Sequence, residues 1–199
     1  MEQKQNWLDR PIHPALPKFT NELMIFVGVI LLAIVTRFYL LEVRVMSHDE
    51  SLHTYFSWLL YRGRGYEHSP MMHGPLQFHM VALSYFLFGA SDFTSRIPAA
   101  LFSIATVGMV WYWRRYLGKW GALIAGLLLV ISPYMLYYGR YVRNESFVGL
   151  SGVIMLYAML RHLEVGGKKY LLLLSGALAL HYLTKETSFI YTAQALLYL

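Results

Sequence analysis

Seven apolar runs organise the chain, at about 23–41, 76–88, 97–113, 120–138, 147–160, 170–183 and 189–199. In lipid every backbone N–H and C=O must be satisfied within the protein, and unbroken apolar runs of this kind do so as helices. A spanning helix needs roughly 20 apolar residues, about 17 at the short end. The runs at 23–41, 97–113 and 120–138 meet that length, and those at 147–160 and 170–183 meet it if their polar flanks snorkel. Composition agrees: 57% of residues are hydrophobic and 14% charged, against about 25% charged in a soluble domain. The sixteen tyrosines and five tryptophans suit long membrane–water boundaries. The expected fold is therefore all-α, a polytopic transmembrane helical bundle.

The absence of cysteine excludes disulfides, thiolate nucleophiles and cysteine metal sites. The net charge of +6 suits anionic headgroups or a phosphate-bearing ligand. Nucleic acid is not an expected partner, because the basic residues are scattered between apolar segments and form no stripe. Residues 1–22 are polar and Pro-rich with no apolar signal core, so the run from Leu23 reads as an uncleaved anchor. The last run reaches Leu199 with no polar ending, which reads as a helix cut short and a domain continuing beyond it.

Orientation turns on the short run at 76–88, bounded by Pro75 and Gly89. If it spans, the 114–119 loop joins the 45–75 loop on one side and Glu145 lies opposite. If it lies at the interface as a juxtamembrane helix, the N-terminus (Lys4, Arg10, Lys18), the 114–119 loop and the 161–169 loop (Arg161, Lys168, Lys169) share one face. The second arrangement is preferred, because the positive-inside rule then makes that face cytoplasmic. Asp49, Glu50, Arg96, the segment GRYVRNES at 139–146 and Lys185–Glu186 then gather on the external side.

Within the first external loop, Ser47 is a plausible N-cap for the amphipathic helix DESLHTYFSWLLYRG, with Leu52, Tyr55, Phe56, Leu59 and Leu60 as one stripe. An acidic first turn is stabilised by the helix dipole, which by itself accounts for Asp49 and Glu50; the chemical alternative is a base or metal ligand at the membrane surface. His68 and His73 flank a Pro-bounded turn, and neither they nor His48 and His53 have metal-ligand spacing. Arg140 and Arg143 precede Glu145, which either caps a helix start or leaves the arginines to bind phosphate with their planar forks. Lys185 and Glu186 read as a self-neutralising pair or as a lysine facing a phosphate. Arg37, near the end of the first run, reads as a snorkelling anchor.

The order of SHDES, HGPLQF, FGASDFTSRIPAALFS, YYGRYVRNESF and LTKETSF after an oily helix resembles the N-terminal half of GT-C type membrane glycosyltransferases. The likeness is to the protein O-mannosyltransferase and aminoarabinose-transferase branch, and within it to a prokaryotic flippase-activity-associated group. It covers residue 23 to the end and makes 23–199 the N-terminal part of a GT-C-like catalytic domain, preceded by a cytoplasmic segment. The resemblance implies juxtamembrane helices in the first external loop and a polyprenyl-phosphate-linked sugar donor in a multi-pass cell-membrane protein. It implies transfer of the sugar to a hydroxyl of a protein, lipid or glycan at the external face. By position it makes Asp49 the base, with Glu50 beside it, and Glu145 the second catalytic carboxylate. Arg96, Arg140, Arg143, Lys185 and His73 become candidates for the lipid phosphate and sugar. Leu52 stands where the aminoarabinose branch has an arginine after the Asp-Glu pair, so that branch's donor does not follow. A divalent cation held by Asp49 and Glu145, with His73 as a further candidate, is compatible with carboxylate chemistry but not required. The competing readings are a non-enzymatic protein that binds polyprenyl-phosphate lipids or assists their flipping, and an ion-coupled transporter. The transporter would need charges near the bilayer midplane.

Overall fold

The computed structural model describes residues 6–13, 16–67 and 72–198; Lys4 and His68 lie outside them. Among them, eight α-helices follow a short 3-10 turn at Trp7–Asp9: α1 (Asn21–Phe38), α2 (His48–Tyr61), α3 (Leu76–Phe88), α4 (Asp92–Ile131), α5 (Pro133–Tyr138), α6 (Glu145–Val165), α7 (Lys168–Tyr182) and α8 (Ser188–Tyr198). Among the described residues there is no strand, only an isolated bridge between Pro11 and Thr20. The all-α expectation holds. Helices α1, α4 and α6 are long and apolar enough to cross a membrane. Helix α3, at 13 residues, is about 20 Å long and falls short of the ~30 Å core.

Two runs expected as separate spans share α4. Its break is a single residue, Gly118, with φ 70° and ψ 172°, a region that glycine enters without a Cβ clash. The expected 114–119 loop is thus helical on both sides of one glycine. The limbs fold back on each other, since Val107 and Val130 pack in one cluster with Val29 and Ala33 of α1. The run at 120–138 is not one helix, as expected from its length. It divides at Ser132, whose hydroxyl caps α5 by accepting from the Met135 N–H at 3.5 Å. Pro133 follows, and proline has no N–H to give the carbonyl four residues back, which is that of Leu129.

Arg37 answers that break. The snorkelling reading is wrong: the side chain is fully buried. Its guanidinium donates to Leu129 O at 3.0 Å, Val130 O at 3.0 Å, Ser103 Oγ at 3.3 Å and Thr36 Oγ1 at 2.9 Å. A carbonyl without a donor in a dry interior costs about 1–3 kcal/mol, so the arginine supplies what Pro133 removes. Arg37→Met is expected to lower stability by about that amount. Thermal unfolding in detergent measures it, and an Arg37→Met protein as stable as wild type would refute the account.

Helix α2 is amphipathic in the opposite sense to a soluble helix. Glu50, His53, Thr54 and Ser57 face inward and are buried, while Leu52, Tyr55 and Phe56 are exposed. A polar inner face with an apolar outer one suits a helix lying against lipid.

Ion pairs and stacked rings tie the ends of the bundle. At one end Trp7 stacks on Trp120, Lys119 pairs with Asp9, Arg114 with Glu22, and Arg115 and Arg161 both with Glu164. The N-terminal segment, the Gly118 break and the α6–α7 turn are therefore neighbours. The loops bearing Asp49, His73, Arg143 and Lys185 meet at the other end.

Candidate active site at one end of the bundle

The site is built on a buried carboxylate. Glu50 follows Asp49 by one residue, about 100° round the helix, so the two point apart. Glu50 is 0% exposed, whereas the Asp49 side chain is 47% exposed. The Ser47 hydroxyl accepts from the Glu50 N–H and Glu50 answers the Ser47 N–H, a capping box that sets the helix start. Arg96 donates from Nε at 3.0 Å and from its terminal nitrogen at 3.1 Å, Arg44 at 2.8 Å and the Val142 N–H at 3.1 Å. Arg96 also binds Leu41 O at 2.7 Å. One carboxylate thereby joins the α1–α2 loop, α4 and the 139–144 turn.

Over this anchor lies a chain of ion pairs. Arg143 donates to Asp49 Oδ2 at 2.8 Å, and its Nε stands 3.8 Å from Glu145 Oε2. Lys185 Nζ donates to Glu145 Oε1 at 3.1 Å. Asp49, Arg143, Glu145 and Lys185 thus form one run of alternating charge across α2, the start of α6 and the α7–α8 turn. Glu145 sits in the first turn of α6, where the helix dipole favours its charge.

His73 joins through the backbone. Its φ of 66° is left-handed, and the next residues dock on the α7–α8 turn: Gly74 N–H to Thr184 O and Leu76 N–H to Leu183 O, each 2.9 Å. Gly74 allows the approach, because a Cβ there would lie 2.7 Å from Thr184 N and nearer still to the Leu183 carbonyl. His73 Nδ1 then lies 2.7 Å from Glu186 Oε2. Partial burial opposes the charge on Glu186, but its own backbone N–H and His73 outweigh it and hold the carboxyl below the usual range. Of the two readings of Lys185–Glu186, the self-neutralising pair is not the contact formed: Lys185 takes Glu145 at the start of α6, and Glu186 takes His73.

The expected phosphate ligands separate into two groups. Arg143, Lys185 and His73 reach the half-exposed site. Arg96 is fully buried with its fork filled by Glu50, and Arg140 is bound to the end of α1 through Thr36 O at 3.1 Å and Leu40 O at 2.9 Å. Burial, then the nearby charges of Arg96 and Arg44, lowers the Arg140 pKa.

Arg44 and Tyr141, not singled out by sequence, and His53, set aside there as a metal ligand, complete the surroundings. Arg44 lies over the rings of Tyr137 and Tyr141 at 5.0 and 4.9 Å, and the Tyr141 hydroxyl is 2.6 Å from Ser47 Oγ. His53, one turn beyond Asp49, stacks on Phe78 with Nδ1 2.8 Å from Asp49 O. Burial lowers its pKa; the Asp49 carbonyl opposes that and Arg143 adds to it. Its signal was the four-residue spacing from Asp49, which places both on one helix face.

The metal candidates do not make a ligand set. Arg143 stands between Asp49 and Glu145, His73 faces Glu186, and no three His, Asp or Glu side chains among the described residues converge on a common point.

Residues 72–199 match the family described as dolichyl-phosphate-mannose-protein mannosyltransferase. The match takes in His73, Arg96, Arg143, Glu145 and Lys185, and begins after Asp49. Comparison with curated proteins finds no match.

Proposed function

Because this chain belongs to the dolichyl-phosphate-mannose-protein mannosyltransferase family, a GT-C type of membrane glycosyltransferase, we propose that it moves a sugar from a polyprenyl-phosphate donor to an acceptor hydroxyl, with Asp49 as the base. The observation that carries the reading is the alternating run Asp49–Arg143–Glu145–Lys185, in which an accessible carboxylate lies within one arginine of a second carboxylate and a lysine.

Asp49 Oδ takes the proton of the acceptor hydroxyl as its oxygen bonds to the anomeric carbon. The bond from that carbon to the phosphate oxygen breaks, and its electron pair leaves with the polyprenyl phosphate. Arg143 and Lys185 meet the negative charge that gathers there. Attack opposite the departing phosphate inverts the anomeric centre with no covalent intermediate. Glu145 sets the position of Lys185, and His73 closes one side of the sugar's space. Glu50 and Arg96 hold the wall from within and touch no substrate.

A groove of about 400 Å³ suits the donor's isoprenoid tail. Val148, Gly149, Gly152 and Leu156 line it from α6, with Trp113 and Tyr191 opposite, and it begins one turn beyond Glu145. The site lies on the external face, opposite the basic end at Lys119 and Arg161.

Asp49→Asn keeps the shape and removes the base. Transfer from a polyprenyl-phosphate sugar should fall at least about a hundredfold, measured on purified protein in nanodiscs. Undiminished transfer would overturn Asp49 as base. A wild-type protein that binds the lipid yet transfers no sugar would favour the non-enzymatic lipid-binding reading.

A further inference from the structure

Neighbouring residues of α2 pair with arginines in different ways: Glu50 with Arg96 and Arg44, Asp49 with Arg143. Arg96–Glu50 is 0% exposed on both sides. Breaking such a pair strips a buried carboxylate of its enclosed partner, at a cost of several kcal/mol, so it stays closed. Arg143–Asp49 is 26% and 47% exposed. Pairs open to water contribute about 0.2–1 kcal/mol, and a competing anion can separate them. Arg143 also has an Nε with no hydrogen-bond partner among the described residues; it stands 3.8 Å from Glu145 Oε2. Lys185 is held by Glu145. In this arrangement both site cations are on carboxylates, and Asp49 Oδ2 is occupied by an N–H of Arg143.

We propose that Asp49–Arg143 is a donor-operated latch: the donor's phosphate takes Arg143 from Asp49, and this exchange frees the carboxylate to accept the acceptor's proton. The inference rests on the reading of Asp49 as base and Arg143 as phosphate ligand. Its physical basis is the match between a guanidinium fork and phosphate oxygens, which gives two charge-assisted hydrogen bonds in place of the single 2.8 Å bond to Asp49. Glu145 stays with Lys185 and keeps the lysine beside the phosphate. Before the donor arrives, Asp49 Oδ2 is held by Arg143 and only the other oxygen is open to an acceptor, so productive binding is ordered, donor first. Arg143 acts on the proton transfer through Asp49 and is in that step a positioning residue.

The latch predicts that a variant lacking the base binds the leaving lipid more tightly. Undecaprenyl phosphate, presented to protein in nanodiscs, is the probe. Asp49→Asn should bind it about two- to fivefold more tightly than wild type, the value of one exposed pair. Arg143→Gln should bind it about tenfold more weakly. The double variant should bind no more tightly than Arg143→Gln, because the gain passes through Arg143. A gain that persists in the double variant is simple relief of charge repulsion and overturns the latch. Equal or weaker binding by Asp49→Asn, with Arg143→Gln still weakened, also overturns it. Wild-type protein that binds no undecaprenyl phosphate refutes the functional reading beneath it instead. Asp49→Ala, which frees Arg143 by another route, must repeat the Asp49→Asn result; if only one of the two is monodisperse, that variant decides.

Discussion

Arg96→Met is expected to destabilise the protein by about 3–5 kcal/mol, the cost of removing the enclosed partner from a buried ion pair. The change removes two hydrogen bonds from Glu50 and one from Leu41 O. Arg44 remains on Glu50, but its side chain is 42% exposed and cannot replace a fork enclosed by protein. Adding Glu50→Leu should restore part of the stability by removing the stranded charge. It should not restore transfer, because the Val142 N–H loses its acceptor and the turn bearing Arg143 loses its buried tie to α2. Unfolding midpoints and transfer rates of the single and double variants separate the two effects. Wild-type stability in Arg96→Met would show that Glu50 is not the anchor inferred here.

Gly74→Ala should have the largest effect on activity of any change outside the ion-pair chain. The new Cβ would fall 2.7 Å from Thr184 N, and the obstructing atoms are backbone, which cannot rotate away. The 73–76 and 183–186 segments must separate by about 1 Å to reach ordinary contact, which weakens two 2.9 Å hydrogen bonds. A misplacement of that size costs about a hundredfold in rate when it reaches the reacting groups. Here it reaches them twice, through His73 on Glu186 and through Lys185 on Glu145. Transfer should fall by about that factor with the bundle still folded. Crosslinking between cysteines placed at positions 73 and 186 of this cysteine-free chain would report the separation. Full activity in Gly74→Ala would mean the docked loops do not position the site.

The helical class was legible because unbroken apolar runs in lipid satisfy their backbone as helices, and the runs at 23–41 and 97–113 were long enough without their flanks. The start of α2 was legible too, since Ser47 and Glu50 have capping-box spacing. The break at Ser132–Pro133 was available in principle, but a run of apolar residues on both sides hid it. Arg37 was misread for a related reason. Distance to the nearest interface suggested snorkelling, and nothing in the neighbouring sequence shows that a proline 96 positions later has freed a carbonyl beside it.

Of the site, sequence determined which residue types are present and at which helix ends. A hydrophobic chain keeps charge where water or a partner can meet it, and that placed Asp49, Arg143, Glu145 and Lys185 at loops. It could not divide those charges between anchor and chemistry. Asp49 and Glu50 are neighbours in sequence, yet one helical step turns one outward and buries the other against Arg96 and Arg44. Lys185 and Glu186 are likewise adjacent, but each pairs with a distant loop. Pairing between side chains depends on which helix ends approach within a few ångströms. That is decided by packing across the whole bundle, by Gly74 against Leu183 and Val142 against α3, and only the tertiary structure contains it.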